Sequence, residues 1–125
     1  MNARVIVRAP NHLGDVVLAL PALRAAGADI LVRTNLAPLL QLAGLPGRII
    51  PFDSITAGIT SVRRGHYEKG ILLPPSFSSA LIFALGGVRE RRGTDTDGRR
   101  ILLTDIVPVG DFAGVHRSIQ YMRLV

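Results

Sequence analysis

The chain of 125 residues contains no cysteine and no tryptophan, and only 5% of its residues are aromatic. Without cysteine, disulfide bonds, thiolate metal sites and cysteine catalysis are excluded. The three histidines, His12, His66 and His116, are scattered along the chain. The sequence therefore predicts neither a metal site nor a bound cofactor.

Long hydrophobic runs are also missing, although 48% of the residues are hydrophobic and the mean hydropathy is +0.35. No apolar run approaches the roughly 18 residues that a membrane-spanning helix needs. We expect no signal peptide before the first apolar segment. A chain this apolar and this long is typical of one folded domain rather than of a disordered segment. We therefore expect a single domain over residues 1–125 and a cytoplasmic location.

Negative charge is scarce: the chain has 9 acidic and 15 basic residues, which give a net charge of +6. Lys69 is the only lysine. A positive balance favours anionic partners such as a phosphorylated substrate, a nucleic acid or an anionic membrane surface. No aromatic-rich strand or nucleic-acid recognition motif accompanies the charge, so no nucleic acid is expected. Peripheral contact with an anionic inner membrane face fits the same charge.

The most informative stretch is 5–21, V-I-V-R-A-P-N-H-L-G-D-V-V-L-A-L-P. Val5–Val7 is a β-branched apolar run of the kind found in buried parallel strands. A tight loop over Ala9–Leu13 follows, and the apolar residues after it recur at helical spacing. This predicts a helix over Gly14–Ala26 that is closed by Gly27. In open α/β sheets, ligands bind where such a loop follows a strand.

Strand and helix signals alternate along the rest of the chain. Further strands are predicted over Ala28–Val32, Arg48–Phe52, Lys69–Leu73 and Val88–Gly93, with an extended segment over Ile101–Val107. Helices are predicted over Leu36–Ala43 with Asn35 as its cap, weakly over Ser54–Gly65, from Ser76 or Ser78 to Leu85, and from His116 to the last residue. This alternation predicts an α/β, Rossmann-like three-layer domain with a mainly parallel sheet.

Two common phosphate-binding motifs are absent. A dinucleotide-binding turn requires G-x-G-x-x-G after the first strand, whereas the loop here reads A-P-N-H-L-G with a single glycine. The G-x-x-x-x-G-K-[ST] loop is missing as well. The usual NAD or ATP chemistry of this fold class is therefore not supported.

Four segments carry a more specific signal. They are N-H-L-G-D-V-V-L-A-L-P-A-L (11–23), L-L-P-P-S-F-S-S-A-L (72–81), G-V-R-E-R-R-G-T-D-T-D-G-R-R-I-L-L-T (87–104) and H-R-S-I-Q-Y-M (116–122). Together and in this order they resemble glycosyltransferase family 9, the ADP-heptose:lipopolysaccharide heptosyltransferases. The four segments span most of the chain.

The resemblance implies the N-terminal half of a GT-B glycosyltransferase, whose active site lies between two Rossmann-like domains. In that family the first domain mainly holds the lipopolysaccharide inner-core acceptor, and the second binds ADP-heptose. The chain resembles only the first domain. We therefore expect an acceptor-binding domain without its C-terminal donor-binding domain, which is inactive alone and meets ADP-heptose only when that domain is present.

The resemblance places the family's catalytic base at Asp15, where a carboxylate would deprotonate the acceptor hydroxyl. A purely structural alternative is that Asp15 caps the helix start. Gly14 is predicted either to let the backbone approach the acceptor or only to satisfy the turn. Asn11 and His12 are candidate donors to sugar or phosphate, or else exposed loop residues.

Two further groups are candidate acceptor contacts. Ser76 and Ser79 lie at a predicted helix N-terminus, which either binds an anion or is simply capped. Arg92 and Arg99 are candidates to pair with acidic groups of the acceptor, or are ordinary surface charges. The competing interpretation of the whole chain is a noncatalytic α/β domain that binds an anionic glycan or a protein partner.

Overall fold

The computed structural model describes residues 4–125 and contains one six-stranded sheet in which every neighbouring pair of strands is parallel. The strands are β1 (Val5–Arg8), β2 (Asp29–Arg33), β3 (Ile49–Phe52), β4 (Lys69–Leu72), β5 (Glu90–Thr94) and β6 (Asp105–Val107). Their order is β3-β2-β1-β4-β5-β6. The predicted parallel α/β architecture is confirmed.

Helices connect the strands and cover the sheet. They are α1 (Leu13–Ala26), α2 (Ala37–Leu42), α3 (Ile55–Gly65), α4 (Phe77–Leu85) and α5 (Arg117–Leu124), with short 3₁₀ turns over Thr34–Leu36, Arg99–Leu102 and Val109–Phe112. Gly27 ends α1 in the left-handed conformation, with φ of 60°, as predicted from its position after the apolar pattern. None of the helices within residues 4–125 is both long and apolar enough to cross a membrane.

The three layers follow from the alternation of side chains along β1. Val7 points to the face covered by α1, α2 and α5, where it joins a core that includes Leu23 and Leu40. Ile6 points to the opposite face, where it joins a second core with residues such as Phe83 from α4. All five of these side chains are essentially buried. In the sheet, Val7 lies between Ile30 of β2 and Ile71 of β4. A central strand buried on both faces explains why 5–7 is continuously apolar.

The strand order places a topological switch point between β1 and β4. The chain proceeds from β1 outward to β2 and β3, and then returns to β4 and proceeds outward in the other direction. The loops after the neighbouring strands β1 and β4 therefore lead to opposite faces of the sheet, and a crevice opens between these two loops. This is the position at which open α/β sheets bind ligands.

Two of the predicted elements begin elsewhere. Asn35 does not cap a helix over Leu36–Ala43, because it lies inside the 3₁₀ turn and α2 begins at Ala37. Pro38 occupies the first turn of α2, where its fixed φ favours a helix and its missing N–H is not needed. Similarly, β5 begins at Glu90 rather than at Val88, whose side chain packs in the second core.

The predicted extended segment Ile101–Val107 is wrong in its first half. The 3₁₀ turn Arg99–Leu102 occupies it, and β6 begins only at Asp105. Gly98 adopts a left-handed φ of 67° just before the turn, and the Arg99 side chain is drawn completely into the interior. The burial of one arginine therefore sets the local backbone more strongly than the apolar pattern of the sequence.

Candidate functional site

A cavity of about 500 Å³ opens at the switch point, outside the carboxyl ends of β1, β4 and β5. The segments that follow β1, β4, β5 and β6 form its walls together with one face of α5. The lining residues are Pro10, Asn11, His12, Asp15, Leu73, Pro74, Pro75, Ser76, Thr94, Thr96, Val109, Phe112, Arg117, Gln120, Tyr121 and Leu124. Its size and its mixture of apolar walls with a few polar groups are typical of a small-molecule site.

Asp15 lies in the first turn of α1 and lines this cavity, as predicted. Its Oδ1 accepts a hydrogen bond from Nη1 of Arg117 at 2.7 Å, and its Oδ2 lies 3.8 Å from Nδ1 of His12. Among the described residues, no backbone N–H donates to this carboxylate, so Asp15 does not cap α1 through a hydrogen bond, although its charge lies in the first turn, where the helix dipole favours it. Asp15 is instead part of an ion pair at the wall of the cavity.

Arg117 is the partner that the sequence analysis did not identify. It begins α5, whose residues 117, 120, 121 and 124 line the cavity at the spacing of one helix face. His116 is the N-cap of this helix, and its Nδ1 accepts from the backbone N–H of Ser118 at 3.2 Å. The i, i+3, i+4, i+7 pattern of α5 was the available signal. It shows which residues share a face but not what that face covers.

Tyr121 lies behind the ion pair and is only 6% exposed. Burial raises the pKa of Tyr121 to about 12, and the negative charge of Asp15 acts in the same direction. Burial likewise raises the pKa of Tyr67 to about 12, with a hydrogen bond to Asp29 as the second cause. At neutral pH the Tyr121 hydroxyl is therefore a neutral donor rather than a base, and the groups in the cavity lining that can accept a proton are Asp15 and His12.

The tyrosine environment gives a direct test, because the chain has two tyrosines and no tryptophan. We expect tyrosinate absorbance to appear near pH 12 in the folded protein and near the ordinary pKa of about 10 in denaturant. The folded state keeps the two tyrosine hydroxyls protonated to a higher pH than the unfolded state does. Their contribution to stability is therefore fully present below pH 10 and is lost between pH 10 and 12. Tyr67→Phe isolates the Tyr121 signal. A midpoint near 10 in the folded protein would contradict the burial argument.

Asn11 lines the cavity and is held by a hydrogen bond from the buried Arg8 side chain. Nη2 of Arg8 donates to Oδ1 of Asn11, and Nη1 of Arg8 donates to the carbonyl oxygen of Ala9 at 2.5 Å. Arg8 is only 2% exposed, stacks on Phe52 with its guanidinium carbon 4.6 Å from the ring centroid, and has its pKa lowered by burial to about 9. Since Oδ1 accepts from Arg8, the amide N–H donors are the groups of Asn11 that have no partner among the described residues.

His12 and Gly14 lie on either side of the start of α1. The His12 side chain is 84% exposed at the cavity wall, where a ring nitrogen can reach a ligand. Gly14 does not line the cavity, has no left-handed φ, and a Cβ there would meet no atom within 4 Å. The turn therefore does not require this glycine, and its predicted role in close approach of an acceptor stays a prediction.

The start of α4 differs from its prediction. Ser76 is at the N-cap position but makes no capping hydrogen bond. The Phe77 N–H donates instead to Oδ2 of Asp97 at 2.8 Å. Ser79 is 1% exposed, and its hydroxyl donates to the Ser76 carbonyl at 2.8 Å. A carboxylate already occupies this helix N-terminus, so an anion site there is not supported, and Ser79 is too buried to contact an acceptor. Ser76 alone of the pair lines the cavity.

Arg99 is also not available to an acceptor, because it is completely buried. Its guanidinium donates to the carbonyl oxygens of Pro74, Ser76 and Thr94 at 2.8, 3.1 and 2.9 Å, and to the Thr94 hydroxyl at 3.1 Å. Burial lowers its pKa to about 10, and Asp97 opposes this. The predicted acceptor contact is replaced by a structural role, in which Arg99 ties together the segments that form one cavity wall.

Arg92 lies outside the cavity, on β5. It donates to Asp105 at 3.3 Å and to the carbonyl oxygen of Arg123 at 3.2 Å, so it links β6 and α5. Of the predicted site residues, the structure thus brings Asn11, His12, Asp15 and Ser76 to one cavity. Within residues 4–125, no group of three His, Asp or Glu side chains is arranged to hold a metal ion.

Comparison with solved structures relates this fold to known proteins. The chain superposes on E. coli ADP-heptose LPS heptosyltransferase II with a TM-score of 0.78 and 22% identity over 97% of its length. It superposes on a glycosyl transferase family 9 protein of Veillonella parvula DSM 2008 with a TM-score of 0.80 and 19% identity over 98% of its length. The fold is that of these glycosyltransferases.

The chain covers 39% and 40% of the lengths of those two glycosyltransferases and resembles their N-terminal part. The sequence alone matches no protein-family model and no curated protein. The structural match therefore confirms the fold that the four motif segments predicted. It does not by itself assign the chemistry of the cavity.

Proposed function

We propose that this chain is the acceptor-binding, N-terminal domain of a heptosyltransferase-like glycosyltransferase that transfers heptose from ADP-heptose to the lipopolysaccharide inner core. The observation that carries the proposal is the Asp15 carboxylate, which lies in a ligand-sized cavity at the switch point of a glycosyltransferase fold. The resemblance of segment 11–23 to glycosyltransferase family 9 supports the proposal, because it implies the same residue as the base.

In the proposed reaction, the acceptor hydroxyl oxygen forms a bond to the anomeric carbon of the heptose while the bond from that carbon to the ADP oxygen breaks. ADP leaves with the electron pair, and the hydroxyl proton moves to the Asp15 carboxylate. A base within hydrogen-bond reach of the attacking oxygen contributes typically about 10²–10⁴-fold to such a step. The donor-binding domain would bring ADP-heptose to the open side of the cavity.

The cavity supplies the other contacts that an acceptor sugar needs. Asn11 presents amide N–H donors, Ser76 presents a hydroxyl, and His12 presents a ring nitrogen. Tyr121 adds a neutral hydroxyl donor behind Asp15. Leu73, Pro74 and Phe112 form apolar walls that exclude water. We propose that Asn11, His12 and Ser76 hold the acceptor hydroxyls, with Asp15 beneath the one that attacks.

Titration of the isotope-labelled chain with lipopolysaccharide inner-core oligosaccharide, followed by NMR, tests the acceptor site. We expect saturable shift changes concentrated on cavity residues, and we expect calorimetry to detect negligible affinity for ADP-heptose. His12→Gly should weaken acceptor binding about 2- to 10-fold, which is the loss of one neutral hydrogen bond. Glycine is tolerated at this N-cap position, so the fold is retained.

His66→Gly is the matched control, because His66 is exposed, ends α3 in a left-handed conformation that glycine adopts freely, and lies outside the cavity. It should bind the oligosaccharide as the parent does. Tight binding of ADP-heptose to the chain alone would place the donor site here and overturn the division of roles. Binding of acidic glycans in general, with no preference for the inner core, would favour the noncatalytic alternative.

A further inference from the structure

The two oxygens of the Asp15 carboxylate have different surroundings. Oδ1 is held at 2.7 Å by Nη1 of Arg117, whereas Oδ2 accepts no hydrogen bond from any residue in the described range 4–125. Nδ1 of the exposed His12 ring lies 3.8 Å from Oδ2, beyond hydrogen-bond distance. We propose that Arg117 is a positioning residue, which fixes the Asp15 side chain so that Oδ1 is occupied and Oδ2 stays available in the cavity.

Arg117 is itself held in place by the start of α5. His116 caps the helix through its bond from the Ser118 N–H, and Nε2 of Gln120 donates to the Val115 carbonyl at 2.7 Å. These bonds fix the first turn from which the Arg117 side chain extends toward α1. A charge-assisted bond of this length is strong and directional, and it selects one orientation of the carboxylate. The two residues are 102 positions apart, so only the packing of α5 against α1 creates this arrangement.

The ion pair is not needed to join the two helices. Val16, Leu23, Tyr121 and Leu124 from α1 and α5 belong to the same buried apolar core. The Arg117 side chain is 56% exposed, and ion pairs at such positions contribute little to stability. A role in orienting the carboxylate therefore explains the pair better than a role in holding the fold together.

The orientation can be measured on the chain itself, without ligand. Three-bond couplings between the backbone and the Asp15 β-protons report its χ1 angle. We expect one rotamer in the parent, averaging over rotamers in Arg117→Gln, and partial recovery of the single rotamer in Arg117→Lys, which keeps a cation. Arg123→Gln is the matched control, since Arg123 is an exposed arginine on the same helix and outside the cavity. A single unchanged Asp15 rotamer in Arg117→Gln would overturn the inference.

The catalytic consequence rests on the proposed function and is measured separately, in a two-domain protein that carries this chain as its N-terminal domain. We expect Arg117→Gln to lower kcat about 10- to 100-fold with little change in KM, since small misplacements of reacting groups have effects of this size. Arg117→Lys should recover part of the loss, and Arg123→Gln should match the parent. Unchanged kcat in Arg117→Gln, together with a disordered Asp15 rotamer, would also overturn the positioning role.

The two experiments separate the proposals. If the parent two-domain protein binds both substrates but transfers no heptose, the proposed function fails, and the coupling measurement still decides whether Arg117 orients Asp15. If the parent transfers heptose and the Asp15 rotamer does not depend on Arg117, the proposed function stands and this inference fails.

Discussion

Asp15→Asn is expected to lower turnover by about 10²–10⁴-fold in a two-domain protein that carries this chain as its N-terminal domain, because an amide cannot accept the proton of the attacking hydroxyl. Acceptor affinity should change little, since Asn keeps the shape of the side chain and its carbonyl oxygen still accepts from Arg117. The measurements are initial-rate kinetics of heptose transfer and NMR titration with the acceptor.

The stability of the variant separates catalysis from structure. Asp15 accepts no backbone N–H bond among the described residues, and losing its partly exposed ion pair with Arg117 should cost less than about 1 kcal/mol. Asp111→Asn is a suitable control, because Asp111 is an exposed carboxylate near the cavity but not in its lining. If Asp15→Asn and Asp111→Asn both keep the parent turnover, the base lies elsewhere.

Arg99→Met is expected to lower the free energy of unfolding by about 3 kcal/mol or more, because several buried acceptors lose their donor at a cost of about 1–3 kcal/mol each. A loss of this size is a large part of the roughly 5–15 kcal/mol that holds a typical domain together. Urea denaturation of the chain measures it directly, through the midpoint and the slope of the transition.

Two opposing contributions decide whether Arg99→Met lowers or raises the free energy of unfolding. Replacing a buried charge by an apolar side chain can be neutral when the charge is the main cost. Here, however, methionine would remove the guanidinium donors from the backbone carbonyls of Pro74 and Thr94 and would leave the Ser76 carbonyl with the Ser79 hydroxyl alone. The loss of these hydrogen bonds therefore outweighs the relief of desolvation.

Arg100→Met is the matched control, since Arg100 is the next residue and its side chain is 70% exposed. Its ion pair with Asp95 has an N–O distance of 3.6 Å. It should change stability by less than about 1 kcal/mol. Arg99→Met should also weaken acceptor binding, because Ser76 and Thr94 form part of the cavity wall. Equal urea midpoints for the two variants would mean that the buried network contributes nothing to the fold.

Local patterns in the sequence predicted most of the secondary structure. The apolar run 5–7, the loop after it and the glycine at 27 bound the first strand and helix within one residue of the structure. Such signals are local, because a buried strand, a helix face and a left-handed C-cap each depend on residues close together in the chain. The same reasoning failed at Asn35 and at Ile101, where Pro38 and the burial of Arg99 decided the backbone.

The chemistry of individual side chains was harder to predict. Arg92 and Arg99 look alike in the sequence, yet one links strand and helix near the surface and the other is completely buried. A buried arginine needs acceptors for its donors, and two of the three carbonyls that Arg99 reaches come from a segment more than 20 residues earlier in the chain. Ser79 was misassigned for the same reason, since its burial depends on that network.

The sequence by itself determined the α/β alternation, the parallel sheet and the placement of Asp15 at the first turn after the first strand, because periodicity, caps and strand composition are properties of neighbouring residues. Only the tertiary structure decided that Arg117 pairs with Asp15, that Asp97 caps α4, and that Asn11, His12, Asp15 and Ser76 share one cavity. These contacts join residues far apart in the chain, and they exist only because the packed sheet brings the ends of β1, β4 and β5 to one edge.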